Sequence, residues 1–294
     1  MPNIAIVWDF DGTLSPDDST TKVVEILDPK RTGAEFWKYV KGLRGDQQRA
    51  SWEHVLASDA PIWMYALSRI AFERGFPLNS EFFGLIKHHI KLYDKVASFL
   101  RKIKLLEDTK PFKDVNLQIH FFIVTAGLKE LVELILPEAV ITWTFGCCYK
   151  VVTQGENSNP ESVPVFCMDE TMKTRSLFEI SKGSFKEQDR SVNRRVSEEE
   201  LWASFSNIVY VGDGDTDIPA LSLVRRNGGK GIVVYNPDKS PEDISKRLKT
   251  MRLDKRADLI TPADYSASSE LFDYITSFCK TVCHRYRAHE MAPI

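Results

Sequence analysis

Five short apolar runs, rich in β-branched residues, limit what this chain can fold into. In chain order they are Ile4–Trp8, Ile119–Val124, Ile208–Val211, Ile232–Tyr235 and, more weakly, Asp258–Ile260. Runs of this kind are typical of strands that are buried on both faces of a parallel sheet. Helical patterns lie between them, and this alternation predicts a doubly wound, Rossmann-like α/β sheet. In such a sheet the ligand crevice lies at the carboxyl ends of the strands.

Apolar residues at helical spacing predict the helices of this core. Leu128–Ile135 repeats apolar residues at helical spacing and stops at Pro137, and further helices begin near Ile218 and Ile244. A C-terminal helix, Ser266–Tyr286, has one apolar face and is expected to pack on the core.

The segment between the first and second strands breaks the alternation. From about Pro16 to Val115 no strand pattern occurs, and four aromatic-rich stretches have helical spacing. These stretches lie at residues 36–40, 62–72, 82–86 and 96–103. We therefore predict an all-helical cap domain, residues 16–115, inserted into an α/β core made of residues 1–15 and 116–294.

Two later segments read as peripheral to the sheet. Thr142–Cys167 alternates apolar and polar residues around a turn at Gly155–Pro160, which predicts a β-hairpin. Ser184–Glu200 is highly charged and predicts a solvated loop that contributes nothing to the core.

Charge and hydropathy narrow the range of partners. The net charge is −2 and the pI is about 6.3, whereas a nucleic-acid-binding surface is normally basic. The nearest basic run, Arg190–Arg195, contains uncharged residues and is followed by Glu198–Glu200. No apolar stretch reaches the roughly 18 to 20 residues that a membrane span needs, and the N-terminus lacks a signal-peptide pattern. We expect neither nucleic acid nor membrane as a partner.

The cysteines indicate a reducing compartment. Their number is odd and their spacing fits no disulfide framework, so we expect free thiols in a cytoplasmic protein. Cys279, Cys283 and His284 have no second pair of ligands nearby, which argues against a zinc site.

The first strand ends in a pair of carboxylates, within Asp9–Leu14 (sequence DFDGTL). Since side chains alternate along a strand, Asp9 and Asp11 leave its end on the same side. Their mutual repulsion requires a cation or a proton, and Gly12 allows a sharp turn. The alternative is a strand that ends in an Asx-type turn with no function.

A second acidic segment, Gly212–Asp217 (sequence GDGDTD), follows a later strand. It offers carboxylate oxygens, the ligands that Mg²⁺ prefers. A calcium-binding loop would need glycine and glutamate at its sixth and twelfth positions. Counted from Asp213, those positions hold Ile218 and Val224, so the segment is not such a loop.

Two further signals are weak when taken singly. Thr125–Gly127 follows the second strand, where a hydroxyl and backbone N–H groups can bind phosphate. Lys173 begins a helical run, and its ammonium suits phosphoryl oxygens. Lys182, before Gly183, is the alternative lysine.

Taken in chain order, these four motifs resemble the haloacid dehalogenase (HAD) superfamily, and its phosphatase branch in particular. The resemblance covers residues 1–15 and about 116–264. The helical segment after Leu14 looks like the early cap of phosphoserine-phosphatase-like members. The resemblance implies a magnesium-dependent phosphatase that hydrolyses a small organic phosphate monoester through an aspartyl-phosphate.

The resemblance also implies a role for each matching residue. Asp9 is the expected nucleophile, and Asp11 the acid that protonates the leaving alkoxide and then activates water. The remaining roles concern the ion and the phosphate. Mg²⁺ is expected to be bound by Asp9, the Asp11 backbone carbonyl and Asp213. Asp217 is expected near the ion or orienting Lys173. Thr125 and Lys173 are expected to bind the phosphoryl oxygens.

Some alternatives stay open at this point. Asp11 argues against the dehalogenase, phosphonate hydrolase and ATPase branches, which as the resemblance has it generally lack this carboxylate. A phosphomutase or phosphotransferase of the same superfamily keeps it, and a non-catalytic phospho-ligand-binding protein on this scaffold is the third reading. The sequence identifies neither the substrate nor the oligomeric state. Several cations of the cap segment are candidates for binding a second anionic group, but a charge of this kind is more often simply solvated at the surface, so none is assigned. They are Arg31, Lys38, Lys41, Arg44, Arg49, His54, Arg69 and His88.

Overall fold

The computed structural model describes residues 2–43, 59–153, 159–186, 192–253 and 256–290. Its seven strands form one sheet: β1 Asn3–Trp8, β2 Gln118–Leu128, β3 Ile141–Val152, β4 Glu161–Phe166, β5 Ile208–Gly212, β6 Lys230–Tyr235 and β7 Leu259–Pro262. Their order across the sheet is β4-β3-β2-β1-β5-β6-β7, and every neighbouring pair is parallel except β3 and β4. The predicted α/β fold is therefore confirmed.

The α-helices of the described residues are α1 Ser19–Leu27, α2 Gly33–Leu43, α3 Asp59–Arg74, α4 Ser80–Ile86, α5 Val96–Lys104, α6 Lys110–Asp114, α7 Lys129–Ile135, α8 Glu170–Lys182, α9 Ile218–Arg226, α10 Pro241–Leu253 and α11 Glu270–Glu290. The first six lie between β1 and β2, and the described residues of 16–115 contain no strand. The four aromatic-rich stretches fall in α2, α3, α4 and α5, as their spacing predicts. The division of the chain into cap and core domains stays a prediction.

The central strand β1 explains why the site lies where it does. All six of its residues are buried, as expected for a strand covered on both faces. Trp8 pairs with Ile123 of β2 and with Val211 of β5. The residues that follow these three positions therefore emerge together at the carboxyl edge of the sheet.

Strand β2 is longer than its apolar run. It continues through Thr125 to Leu128, with a register shift against β3 between Val124 and Leu128. The expected strand-to-helix turn at Thr125–Gly127 is therefore an irregular stretch of strand. Pairing with β3 continues as far as Leu128, and these hydrogen bonds keep the segment extended although its composition favours a turn.

The predicted hairpin is confirmed as the antiparallel pair of β3 and β4, but it is not peripheral. The first half of β3 pairs in parallel with β2, and only Cys148–Val152 pairs with β4. Residues 155–158 of the predicted turn lie outside the described residues. On one side the hairpin meets α3, where Tyr149 Oη donates to the Met64 carbonyl at 2.7 Å and Ser68 donates to the Ser162 carbonyl.

The charged stretch Ser184–Glu200 does contribute to the core, contrary to expectation. Phe185 is buried and packs edge-on against Phe122 of β2 and Trp202, with ring centroids 4.9 and 5.0 Å apart. A single aromatic residue in a polar stretch carries too weak a pattern to show this. Residues 187–191 lie outside the described part of the chain.

All five cysteines lie in described segments and are free thiols. Within those segments, no helix combines the length and the apolar character that a bilayer span requires. The apolar face of α11 packs inward, with Leu271, Ile275 and Val282 buried.

A buried histidine makes the stability of the fold depend on pH. His120 of β2 lies between Asn3 Oδ1 and Thr142 Oγ1, at 3.1 and 3.3 Å from its two ring nitrogens. Burial, and then the charges of Lys104 and Lys186, lower the pKa of His120 from 6.5 to about 3. The folded state thus holds this ring neutral, and the resulting stability is complete above the unfolded pKa and lost as pH falls below it.

We predict that wild type loses about 2 kcal/mol of unfolding free energy from this group between pH 6.5 and 5, since each pKa unit corresponds to about 1.4 kcal/mol. The His120→Gln variant lacks the titrating ring and should lose correspondingly less over the same range. Urea unfolding at the two pH values measures the difference. Equal pH dependence in the two proteins would contradict the assignment.

Candidate active site

The loop after β1 brings the first carboxylates to the edge of the sheet. Asp9 N donates to the Val211 carbonyl at 2.8 Å, which extends the pairing of β1 with β5 by one residue. Gly12 then adopts φ +75°, a conformation that favours glycine. A Cβ atom at Gly12 would lie 1.8 Å from Asp213 Oδ2, so this glycine lets the two acidic loops approach each other.

Lys173, which comes from a third segment of the chain, connects these two loops. Asp169 caps the start of α8 by accepting from Met172 N at 2.7 Å, which places Lys173 in the first turn of the helix. Its ammonium is completely buried, 3.0 Å from Asp9 Oδ2 and 2.7 Å from Asp217 Oδ1. Three segments far apart in the sequence thus meet at one buried cation.

All hydrogen-bonding capacity of Asp217 is used within the protein. Oδ1 accepts from Lys173 Nζ and from Tyr210 Oη, both at 2.7 Å. Oδ2 accepts from the backbone N–H groups of Asp213 and Gly214 at 3.1 and 3.3 Å. A carboxylate has about four lone-pair sites, so Asp217 is better suited to orienting Lys173 than to holding an ion.

Three buried carboxylates lie close together around one lysine. Carboxylate oxygens of Asp9, Asp213 and Asp217 lie within 4.8 Å of one another, and Lys173 is the cation among them. Burial, followed by the charge of Asp217, raises the pKa of Asp9 well above its usual value, although Lys173 opposes this. Burial lowers the pKa of Lys173, but Asp217 and Asp9 outweigh it and raise the pKa overall. Hard carboxylate oxygens this close together are ligands that suit a divalent cation such as Mg²⁺.

Asp11 is held separately, at the start of α1. Its two carboxylate oxygens accept from the backbone N–H and the hydroxyl of Ser19, at 2.9 and 3.0 Å. Burial, and then the charge of Asp18, raise the pKa of Asp11 to about 7. The carboxyl group is therefore fixed in orientation, and its protonated form is favoured more than in water.

Thr125 completes the set at the irregular end of β2. Its side chain is buried, and its hydroxyl oxygen accepts from Gly127 N at 2.9 Å. The hydroxyl proton thus remains available for a ligand oxygen.

These groups surround one cavity of about 410 Å³. The predicted site residues that line it are Asp9, Asp11, Thr125, Lys173 and Asp213. Asp217 does not line the cavity itself, but its carboxylate contacts the lining residue Lys173.

The structure separates the two lysines that the sequence leaves as alternatives. Lys182, at the other end of α8, donates to the backbone carbonyls of Val192 and Arg194 at 2.6 and 2.8 Å. The candidate cap cations also lie elsewhere. Arg31 and Arg69 line a different cavity, none of the other described candidates lines the one around Asp9, and Arg44, Arg49 and His54 lie outside the described residues.

Sequence reasoning missed two residues that support the site. Tyr210 reads as one more apolar residue of a buried strand, and only its hydrogen bond shows its part in holding Asp217. Ser19 stands next to Asp18, which caps α1 by accepting from Thr21 N at 2.6 Å. An aspartate such as Asp18 before an apolar helical pattern indicates the start of a helix. It therefore also indicates backbone N–H groups that are free to donate to Asp11.

Comparisons with known proteins give similarities at low identity, and no family model matches the chain. An uncharacterized protein of Borreliella burgdorferi (strain ATCC 35210) is 22% identical over 289 residues, covering 92% of this chain and 95% of that protein. Among solved structures, a phosphoserine phosphatase in its apo form has a TM-score of 0.49 at 14% identity, covering 88% of this chain and 93% of that one.

Two further solved structures are similar to the same degree. A HAD-family hydrolase from Salmonella enterica serovar Typhi has a TM-score of 0.49 at 13% identity, covering 84% of this chain and 66% of that one. Cytosolic 5′-nucleotidase IIIB bound to cytidine has a TM-score of 0.48 at 13% identity, covering 96% and 87%.

The two lysines of α8 provide a matched test of the buried charge network. Lys173→Met removes the cation between two buried carboxylates, so we predict a loss of about 3–5 kcal/mol of unfolding free energy at pH 7. Lys182→Met removes hydrogen bonds to backbone carbonyls and should cost about 1 kcal/mol. Urea unfolding without added metal measures both. Equal losses would show that Lys173 does not compensate Asp9 and Asp217.

Proposed function

We infer that the chain is a magnesium-dependent phosphatase of the HAD superfamily, which hydrolyses a small organic phosphate monoester through an aspartyl-phosphate on Asp9. The observation that supports this most directly is the shared cavity, whose wall contains Asp9, Asp11, Thr125 and Lys173. A nucleophile, an acid and two donors to phosphoryl oxygens are what transfer from a monoester requires. In this proposal residues 16–115 form the helical cap, and residues 1–15 and 116–294 the catalytic core.

Asp9 and Asp213 are the side chains proposed to hold Mg²⁺. Both carry buried carboxylates whose oxygens lie within 4.8 Å of each other, and hard oxygen ligands so arranged support a divalent cation. The resemblance adds the Asp11 backbone carbonyl as a further ligand. When bound, Mg²⁺ supplies positive charge that offsets the charge of the phosphoryl oxygens. Asp217 keeps Lys173 in position.

The first half of the reaction transfers the phosphoryl group to the protein. An Asp9 carboxylate oxygen attacks phosphorus, a new O–P bond forms, and the bond from phosphorus to the ester oxygen breaks. Asp11 gives its proton to that oxygen, so the alcohol leaves in neutral form. The two contacts with Ser19 fix the direction in which Asp11 points.

The second half hydrolyses the aspartyl-phosphate. Asp11, now ionised, takes a proton from water, and the resulting hydroxide oxygen attacks phosphorus. The bond between phosphorus and the Asp9 oxygen breaks, which releases inorganic phosphate and restores the carboxylate.

Thr125 and Lys173 are proposed to hold the phosphoryl oxygens through both steps. The Thr125 hydroxyl accepts from Gly127 N and still has a proton to donate. The Lys173 ammonium uses two of its three N–H groups on Asp9 and Asp217, which leaves the third for the substrate.

We predict that Asp9→Asn and Asp213→Asn each lower kcat/KM by about 10³-fold or more, because they remove the nucleophile and a metal ligand respectively. Phosphate release from para-nitrophenyl phosphate, with and without Mg²⁺, measures this. Circular dichroism checks that both variants fold. Near-normal turnover by folded Asp9→Asn would refute the proposed nucleophile.

The role of Asp11 has its own test, based on the leaving group. Asp11→Asn should lower turnover of an alkyl phosphate by about 10²–10⁴-fold, the usual contribution of a general acid. Transfer from para-nitrophenyl phosphate should suffer less, since that leaving group needs no proton. The rate of alcohol release within the first turnover is compared between the two esters, because it precedes hydrolysis of the aspartyl-phosphate, a step that also uses Asp11. Equal losses would contradict proton transfer by Asp11.

A further inference from the structure

We propose that the substrate is the phosphate ester of a short amino alcohol, whose ammonium group binds between two tryptophans and a set of carboxylates in the outer part of the cavity. This inference rests on the proposed phosphatase function and adds the substrate class to it. It differs from the possibility, which the sequence leaves open, that a cap cation binds a second anionic group.

Two indole rings from different helices form part of the cavity wall. Trp37 of α2 and Trp63 of α3 both line it, although neither is needed to transfer a phosphoryl group. Trp63 is only 4% exposed, and the Trp37 ring is held by a 2.9 Å hydrogen bond from Nε1 to Thr21 Oγ1. Of the aromatic side chains, tryptophan attracts cations best, and rings fixed in this way bind them with little loss of conformational freedom.

The charged side chains beside these rings are mainly acidic. Asp17, Asp18 and Asp59 line the cavity in addition to the carboxylates of the reaction centre. Lys173 is already paired with Asp9 and Asp217, so among the described lining residues the further ammonium is that of Lys239, which is exposed. Among the described lining residues of this part of the cavity, acidic side chains therefore outnumber basic ones, which favours an ester with a cationic group over one with a second anionic group.

The position of Asp18 indicates how far the cation lies from the reacting bond. Asp18 directly precedes Ser19, whose backbone N–H and hydroxyl donate to the Asp11 carboxylate at 2.9 and 3.0 Å. Its side chain is fixed by capping α1 at Thr21 N. Since Asp11 faces the leaving oxygen in the proposed reaction, a cation near Asp18 lies a short carbon chain away from that oxygen. A cavity of about 410 Å³ accommodates a molecule of this size.

The test compares two esters of the same shape that differ in one charge. Phosphocholine carries a quaternary nitrogen where 3,3-dimethylbutyl phosphate carries a carbon. We expect kcat/KM for phosphocholine to be about tenfold higher, which is the range of a desolvated cation–π contact. Phosphoglycolate, with a carboxylate instead, should be hydrolysed more slowly than either.

Variants identify the residues that recognise the cation. Asp59→Asn and Trp63→Leu should each reduce the ratio of the two kcat/KM values, phosphocholine over dimethylbutyl phosphate, by about threefold or more. Glu73→Gln makes the same type of charge change at the far end of α3, outside the cavity, and should leave the ratio unchanged. Asp59 is exposed at the start of α3, so its variant provides the test if Trp63→Leu fails to fold.

The outcomes separate this inference from the proposed function. If wild type hydrolyses para-nitrophenyl phosphate with Mg²⁺ but does not prefer phosphocholine to its carbon analogue, the inference is wrong and the phosphatase proposal stands. If the ratio is the same in Asp59→Asn, Trp63→Leu and Glu73→Gln, the assigned residues are wrong. If no ester is hydrolysed, the proposed function fails and this inference fails with it.

Discussion

The buried ammonium of Lys173 is the interaction on which the arrangement of the carboxyl edge depends. It joins the loop after β1 to the loop after β5 through Asp9 and Asp217, and it comes from a third segment, α8. Burying these charges costs several kcal/mol per ion unless each is paired and hydrogen-bonded. Tyr210 and two backbone N–H groups complete the hydrogen bonds of Asp217, so the lysine has one defined position. The same network holds the carboxylates of Asp9 and Asp213 close together, an arrangement of hard oxygen atoms that suits a divalent cation.

Much of this could be predicted from the sequence, because its signals are local. Apolar runs of period and composition typical of buried strands identified β1, β2, β5, β6 and β7, and alternation with helices indicated a parallel sheet. The carboxyl ends of parallel strands meet at one edge of the sheet. The sequence therefore predicts that Asp9, Thr125 and Asp213, which follow three such strands, lie close together at that edge. The structure brings them to one cavity.

The parts that could not be predicted depend on contacts between distant segments. No local pattern distinguishes Lys173 from Lys182, since both are lysines on one helix and only the packing of α8 buries the first. Strand β3 looked peripheral because its alternation fits a hairpin, whereas its pairing with β2 is non-local. The wall of the cavity combines Trp37 and Trp63 with acidic residues from other segments, and the sequence pattern marks each of these as an ordinary core or surface residue.

The most direct test of the proposed mechanism is to trap the phosphorylated residue. Wild-type protein is mixed with para-nitrophenyl phosphate and Mg²⁺, quenched during turnover and reduced with borohydride, which converts an aspartyl-phosphate to homoserine. Peptide mass spectrometry then locates the homoserine. If Asp9 is the nucleophile, the homoserine lies at position 9, and it forms only when Mg²⁺ and substrate are both present. A burst of nitrophenol without homoserine at Asp9, or with homoserine at another position, would contradict the account.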